Sequence, residues 1–193
     1  MDQYMLYDIH VSHISRKVNG ILLFLNRIKE RFDKATRILI VQSLALSIIN
    51  YCIKVWGMTT LQQIDKIQKL ENFAAKIAVG GARKYDHVTP IFDELTWLKI
   101  KDKITFDICV FTYKICNHLL PEWLFVFPTV SERMTRDTRQ ANDLFIPRTR
   151  TDLGAKAISV IGPSIWNKIP DNVKRSPLLP SFKKKLKEYL LQK

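Results

Sequence analysis

The chain carries two clusters of basic residues whose side chains can bind phosphate oxygens. An arginine fork matches two phosphate oxygens at once, and a lysine ammonium supplies a compact charge with three donors. The arginine cluster comprises Arg133, Arg136, Arg139, Arg148 and Arg150. The lysine cluster comprises Lys183, Lys184, Lys185 and Lys187. We predict that both clusters contact a nucleic-acid backbone without reading its sequence. The alternative is a solvated charged surface with no specific ligand.

The overall charge favours the same class of partner. Lysine and arginine total 31 against 18 acidic residues, which gives a net charge of +13 and a pI near 9.8. A charge of this size favours polyanions, with RNA or DNA first among them.

No other group of residues has the spacing of a catalytic or metal site. Cys109, Cys116 and His118 follow no zinc-finger spacing, and a helix would spread them over different faces. His10 and His13 have no third ligand near them in the sequence. The sequence contains no Asp-Asp pair, and its acids are scattered among lysines. Two divalent metals need clustered carboxylates, so we predict no catalytic residue, no metal and no cofactor.

Tryptophans offer a second route to nucleic acid, because their rings can stack on bases. Trp97, Trp123 and Trp166 all have apolar neighbours in the sequence. We therefore interpret them as core residues.

The cysteine content and the apolar segments indicate a location inside the cell, in the nucleus or the cytoplasm. Cys52, Cys109 and Cys116 are too few and too far apart for a disulfide framework. The first residues lack the basic and apolar regions of a signal peptide. The most apolar stretch, residues 38–53, is short and contains polar residues, so we predict a buried helix and no membrane segment.

The elements that must position the basic clusters are mainly helical. Apolar residues recur at helical spacing over residues 14–28. Asp33 is placed to cap a helix over residues 34–55, whose apolar residues on nearly all sides predict the most buried helix. Thr60 and Gln63 have the spacing of a capping box for the next helix.

The fold class is therefore predicted as mainly α, with a small helical bundle over residues 1–125. An irregular basic extension follows over residues 126–193. In the extension, residues 144–150 and 157–161 can pair as a short hairpin. Ser181 is placed to cap a terminal helix that carries the lysine cluster.

Several blocks of the sequence, in their order and spacing, carry a family resemblance. They include Asn50-Tyr51-Cys52-Ile53-Lys54-Val55-Trp56-Gly57, Gly162-Pro163-Ser164-Ile165-Trp166-Asn167, and residues 13–18, 67–76, 86–90, 95–98, 148–151 and 169–170. Together they resemble the region carboxy-terminal to the palm in reverse transcriptases of non-LTR retrotransposons, the jockey-like and CR1-like elements.

The resemblance implies a thumb-like helical bundle that packs against a template–primer duplex. The family's catalytic palm, with its metal-holding aspartates, has no counterpart in this sequence. The resemblance therefore implies a non-catalytic carboxy-terminal fragment of an RNA-directed DNA polymerase that retains affinity for RNA or DNA. The palm of the parent element would be a further partner. Two alternatives stay open: an inactive truncated product, and a domesticated module that binds another protein.

Overall fold

A computed structural model describes residues 6–81, 86–121, 127–133 and 141–192. The fold is mainly helical, as predicted. The chain divides into two compact units, residues 1–104 and 105–193. The division falls within the helix Ile100–Cys116, and the sequence-based domain boundary near residue 125 stays a prediction.

The first unit is an assembly of helices in which two of them pack on a third. Its helices are α1 (Asp8–Ile28), α2 (Lys34–Val41), α3 (Ser47–Asn50), α4 (Ile53–Trp56), α5 (Leu61–Val79), α6 (Thr89–Leu95) and the start of α7 (Ile100–Cys116). Both α1 and α2 pack against α5. The predicted stripe of α1 is buried and comprises Val11, Ile14, Val18, Leu22 and Leu25. On α5, the small residues Ala74, Ala75 and Ala78 are fully buried, which lets the neighbouring helices approach closely.

The segment over residues 34–55 is not the single buried helix that we predicted. A π-helical turn at Gln42–Leu46 interrupts it, and it breaks at Cys52, whose φ of 51° lies in the left-handed region. Leu39 is 66% exposed and Leu44 is 49% exposed. The prediction was wrong because the segment is apolar on nearly all sides but is covered by neighbouring helices only in part.

The two predicted helix caps have different outcomes. Asp33 is confirmed as an N-cap, since its Oδ2 accepts a hydrogen bond from the Ala35 backbone N–H at 3.1 Å. Thr60 precedes α5, but its side chain makes no capping hydrogen bond. The Gln63 amide instead donates to Asp8 Oδ1 at 2.6 Å. The capping box was wrong because a partner on another helix takes the side chain that would complete it.

Arg37, on α2, connects the end of the short helical turn at Lys29–Arg31 to the end of α5. Its guanidinium donates to the carbonyl of Phe32 at 2.7 Å and to that of Val79 at 2.9 Å. Longer bonds reach the carbonyls of Ala78 at 3.3 Å and Lys29 at 3.4 Å. One half-buried side chain thus donates to four backbone carbonyls, and those of Ala78 and Val79 lie in the last turn of α5, where intrahelical partners run out.

A buried polar cluster connects α5 to the start of α7. Glu71 is fully buried and forms an ion pair with Lys103. Burial raises the pKa of the Glu71 carboxyl, although the Lys103 charge opposes that rise. Gln68 donates to Asn72 Oδ1 at 2.8 Å, and its Oε1 accepts from the Ile100 backbone N–H at 2.8 Å. The cluster therefore satisfies a helix-start N–H and a buried charge together.

The second unit contains the rest of α7 and several shorter helices. These are α8 (Val130–Arg133), α9 (Asp152–Ala155), α10 (Ile158–Asn167), α11 (Asp171–Lys174) and α12 (Leu179–Leu191). An isolated antiparallel bridge joins Thr129 to Leu144. Among the residues described in either unit, no helix is both long and apolar enough to cross a bilayer.

The predicted hairpin in the extension is wrong. Residues 158–161 form the first turn of α10, and that helix continues through Gly162 and Pro163. A short apolar run fits a strand or a helix equally well, so its spacing did not decide between them. The terminal helix also begins earlier than predicted, because Leu178 is its N-cap and Pro180 lies in its first turn, where proline is well tolerated. Ser181 is therefore inside the helix and does not cap it.

Candidate nucleic-acid interface

The second unit is anchored by three aromatic side chains from different helices. Tyr113 of α7 stacks on Phe182 of α12, with ring centroids 4.3 Å apart and an interplanar angle of 21°. Trp166 of α10 lies 6.4 Å from Tyr113 and 5.8 Å from Phe182. The Tyr113 hydroxyl donates to the Ser176 carbonyl at 2.8 Å. These contacts hold α7, α10 and α12 together and give α12 a fixed orientation within the unit.

The lysine cluster lies on the solvent-exposed sides of α12. Phe182, Leu186 and Leu190 form the buried side of this helix. Lys183, Lys184 and Lys185 are exposed, and Lys187 is partly exposed. The burial of one side of α12 therefore leaves the ammonium groups of the predicted site facing solvent.

The lysines of α12 are not held in salt bridges within the part of the chain that the structure describes. Within the described ranges, no acidic side chain forms an ion pair with Lys183, Lys184, Lys185 or Lys187. Lys185 Nζ donates only a long hydrogen bond, at 3.4 Å, to the Asn172 carbonyl. Unpaired ammonium groups on one helix attract anions, since no internal salt bridge has to break first.

The arginine cluster is described in part. Arg133 ends α8, and its guanidinium carbon lies 5.3 Å from the centroid of the Phe145 ring, a cation–π distance. Arg148 and Arg150 are exposed and lie in a stretch with no helix or strand. Arg136 and Arg139 lie outside the described residues.

Backbone pairing fixes the two stretches that carry the described arginines. The Val130 N–H donates to the Asp143 carbonyl at 2.9 Å, and the Phe145 N–H donates to the Pro128 carbonyl at 2.8 Å. These bonds flank the bridge between Thr129 and Leu144. The start of α8 is thereby held against the stretch that leads to Arg148 and Arg150.

Asn167, at the end of α10, holds the same stretch from another direction. Its Oδ1 accepts from the Leu144 N–H at 3.0 Å, and its Nδ2 donates to the Leu144 carbonyl at 2.9 Å. Sequence reasoning placed Asn167 in a family block but assigned it no contact. Asparagine side chains near helix ends commonly bond to backbone groups, so the residue type is a general signal for such a contact. Nothing in the local sequence indicates a partner 23 residues away.

The tryptophans that the structure describes are core residues, as predicted. Trp97 is buried and packs edge-on against Phe92, with centroids 6.4 Å apart. Trp166 is buried within the aromatic group. Trp123 lies outside the described residues. The rings of Trp97 and Trp166 are therefore occupied by protein contacts.

The two cysteines of α7 lie in an environment that keeps their thiols protonated. Burial raises the pKa of Cys109 to about 12 and that of Cys116 to about 11. A protonated thiol is a poor metal ligand. His118 is exposed and has a left-handed φ of 52°. In the described part of the chain, no three or more His, Cys, Asp or Glu side chains are placed to hold a metal ion.

The described part of the candidate interface is thus one lysine-bearing helix and one arginine-bearing stretch on the same unit. Its side chains offer hydrogen-bond donors and positive charge, which suit phosphate oxygens. Comparison of the chain with models of protein families, with curated proteins and with solved structures finds no match.

Proposed function

We propose that this protein binds RNA or DNA through the phosphate backbone, independently of sequence, and performs no catalysis itself. The observation that carries the proposal is the set of solvent-facing lysines on α12, which form no salt bridge with any described acidic side chain. The net charge of +13 adds a long-range attraction for polyanions. The family resemblance supports an origin as the carboxy-terminal part of a non-LTR retrotransposon reverse transcriptase, and it makes a template–primer duplex in the nucleus or cytoplasm the ligand to test first.

The non-catalytic part of the proposal rests on the placement of the acids. Phosphoryl transfer needs carboxylates that converge on divalent metals. The fully buried carboxylate of Glu71 is already paired with Lys103, and Asp171 is 3.5 Å from Lys174 and 3.8 Å from Arg175. We expect purified protein to extend no primer in the presence of Mg²⁺. Extension by protein free of contaminating polymerase would contradict this part of the proposal.

The binding part is tested by fluorescence anisotropy with a labelled RNA–DNA primer–template duplex at several salt concentrations. Each phosphate contact releases counterions, so log K should fall with log salt by about 0.9 per contact for a duplex. In the variant K183Q/K184Q we expect the slope to become shallower by about one to two. The matched control is K66Q/K69Q, which removes the same charge from two exposed lysines on α5 of the first unit.

The outcomes separate a local site from general charge. If both double variants lose affinity equally, then net charge alone explains binding and α12 is not the site. If the wild-type protein fails to bind the duplex at low salt, the proposed function is wrong.

A second candidate function, a module that binds another protein, is favoured by the exposed apolar residues of the first unit. These include Ile9, Phe24, Leu39, Leu44 and Leu61. Exposed apolar residues that adjoin one another are typical of surfaces that bind partners, and Ile9 lines a surface cavity together with exposed Val55. A defined protein partner that stays bound after nuclease treatment would favour this function over nucleic-acid binding.

A further inference from the structure

We infer that Asn167 is a positioning residue that holds the arginine-bearing stretch in place for polyanion contact. This inference rests on the proposed function, because it assigns a role within the same interface. The arginine-bearing stretch is defined here as residues 141–150, which include Arg148 and Arg150. Asn167 contacts no ligand in this scheme and acts only through the backbone of Leu144.

The side chain of Asn167 imitates one edge of a β-ladder. It accepts from the N–H of Leu144 and donates to the carbonyl of the same residue. Leu144 is only 5% exposed, so water cannot easily replace both bonds. Aspartate has no N–H to donate to the carbonyl, and alanine offers neither bond. The pairing therefore requires an amide at this position.

The hydrogen bonds from Asn167 to Leu144 also affect Arg133, because Leu144 takes part in the backbone pairing that joins the two arginine-bearing segments. Leu144 is also the residue that bridges to Thr129, one residue before α8. Phe145, the next residue, lies beneath the Arg133 guanidinium. A change at Asn167 should therefore loosen the described arginines on both sides of this pairing.

Asn167 is itself held in place by the core of the second unit. The residue before it, Trp166, packs on Phe182 in the first turns of α12. α10 also packs closely against Thr112 and Phe127. A Cβ added at Gly162 would lie 3.1 Å from Thr112 Oγ1 and 3.2 Å from the Phe127 ring. The pair Trp166-Asn167 thus connects the helix that carries the lysines to the stretch that carries the arginines.

The test is a double-mutant cycle read by anisotropy with the same primer–template duplex. The variants are N167A, R148Q/R150Q and their combination, in the full chain. We expect N167A to weaken binding about five- to tenfold at low salt, as R148Q/R150Q does. The combination should lose clearly less affinity than the sum of the two separate losses, because Asn167 acts in large part through those two arginines. The matched control is N142A, an exposed asparagine in the same stretch, which should bind as the wild type does.

A second measurement does not depend on any ligand. Trypsin cleavage after Arg148 and Arg150, followed by mass spectrometry, should be about tenfold faster in N167A, because the loss of two backbone contacts favours local opening. N142A should be cleaved at the wild-type rate. An unchanged circular dichroism spectrum and unchanged Trp166 fluorescence would show that the core of the second unit is intact.

Each outcome decides a different point. Additive losses in the cycle, or wild-type affinity and cleavage in N167A, would overturn the positioning role while leaving the proposed function in place. If the wild-type protein does not bind, the proposed function fails, and the binding role of Asn167 fails with it even if cleavage in N167A is faster.

Discussion

Replacing Arg37 by alanine should lower the free energy of unfolding of the first unit. The loss should be larger than is usual for a partly exposed side chain. The two short hydrogen bonds, to the carbonyls of Phe32 and Val79 at 2.7 and 2.9 Å, carry most of the effect. Each is a charge-assisted bond worth about 1–1.5 kcal/mol net at a half-buried site, and the helix dipole adds a few tenths. We expect a loss of about 3 kcal/mol in the free energy of unfolding of this unit.

The Arg37 guanidinium fits closely against Gly80, and a lysine would not make the same hydrogen bonds. Gly80, at the end of α5, has a φ of 90°, and a Cβ built there would lie 2.5 Å from Arg37 Nη2. The guanidinium therefore occupies space that only glycine leaves free. In R37K the ammonium keeps the charge but cannot span both carbonyls, so we expect less than half of the lost stability to return.

The assay is urea unfolding followed by circular dichroism, with hydrogen exchange to report on each unit separately. The urea midpoint of the first unit should fall by about 1–3 M in R37A, since the free energy of unfolding of a small domain falls by about 1–3 kcal/mol per M of urea. The control is R16A, which removes an exposed arginine from α1 and should change stability by less than about 0.5 kcal/mol. If R37A and R16A unfold at the same urea concentration, the hydrogen bonds of Arg37 contribute nothing and the reasoning is refuted.

Two further predictions concern titratable groups. Folding raises the pKa of the Glu71 carboxyl above its ordinary 4.5, so the folded state binds this proton more tightly than the unfolded state does. The contribution of this proton to the free energy of unfolding is fully present below pH 4.5, and it is lost as pH rises through the raised pKa. Unfolding free energies from pH 4 to 8 should therefore fall for the wild type relative to E71Q, and a difference independent of pH would contradict this. In the folded protein at pH 8, a thiol reagent should modify exposed Cys52 quickly and partly buried Cys116 slowly, whereas buried Cys109 should react only after unfolding. Rapid modification of Cys109 without denaturant would show that it is not buried.

Much of the secondary structure could be predicted from local spacing. The apolar stripe of α1 and the cap at Asp33 depend on residues within a few positions of each other, and both are present. The exposure of the lysine cluster follows from the same rule, since Phe182, Leu186 and Leu190 occupy one side of a helix and the lysines lie elsewhere.

Other features depend on partners that local spacing does not identify. The apolar run at residues 158–161 fits a strand or a helix by its spacing, whereas in the folded chain it begins α10, whose Trp166 packs on Tyr113 and Phe182. The polar cap predicted at Thr60 failed because Gln63 bonds to Asp8, 55 positions away. Leu39 and Leu44 are exposed because the helices packed on that segment leave part of it uncovered.

The sequence by itself therefore determined the helical class, the positive charge and the residue types of the candidate interface. Only the tertiary structure decided which of those residues are held in place, through Asn167 on Leu144 and through the aromatic contacts of α12. The physical reason is the separation, along the chain, of the residues that interact. Helical spacing and charge are properties of neighbours along the chain, whereas these hydrogen bonds and ring contacts join side chains that become neighbours only when the chain folds.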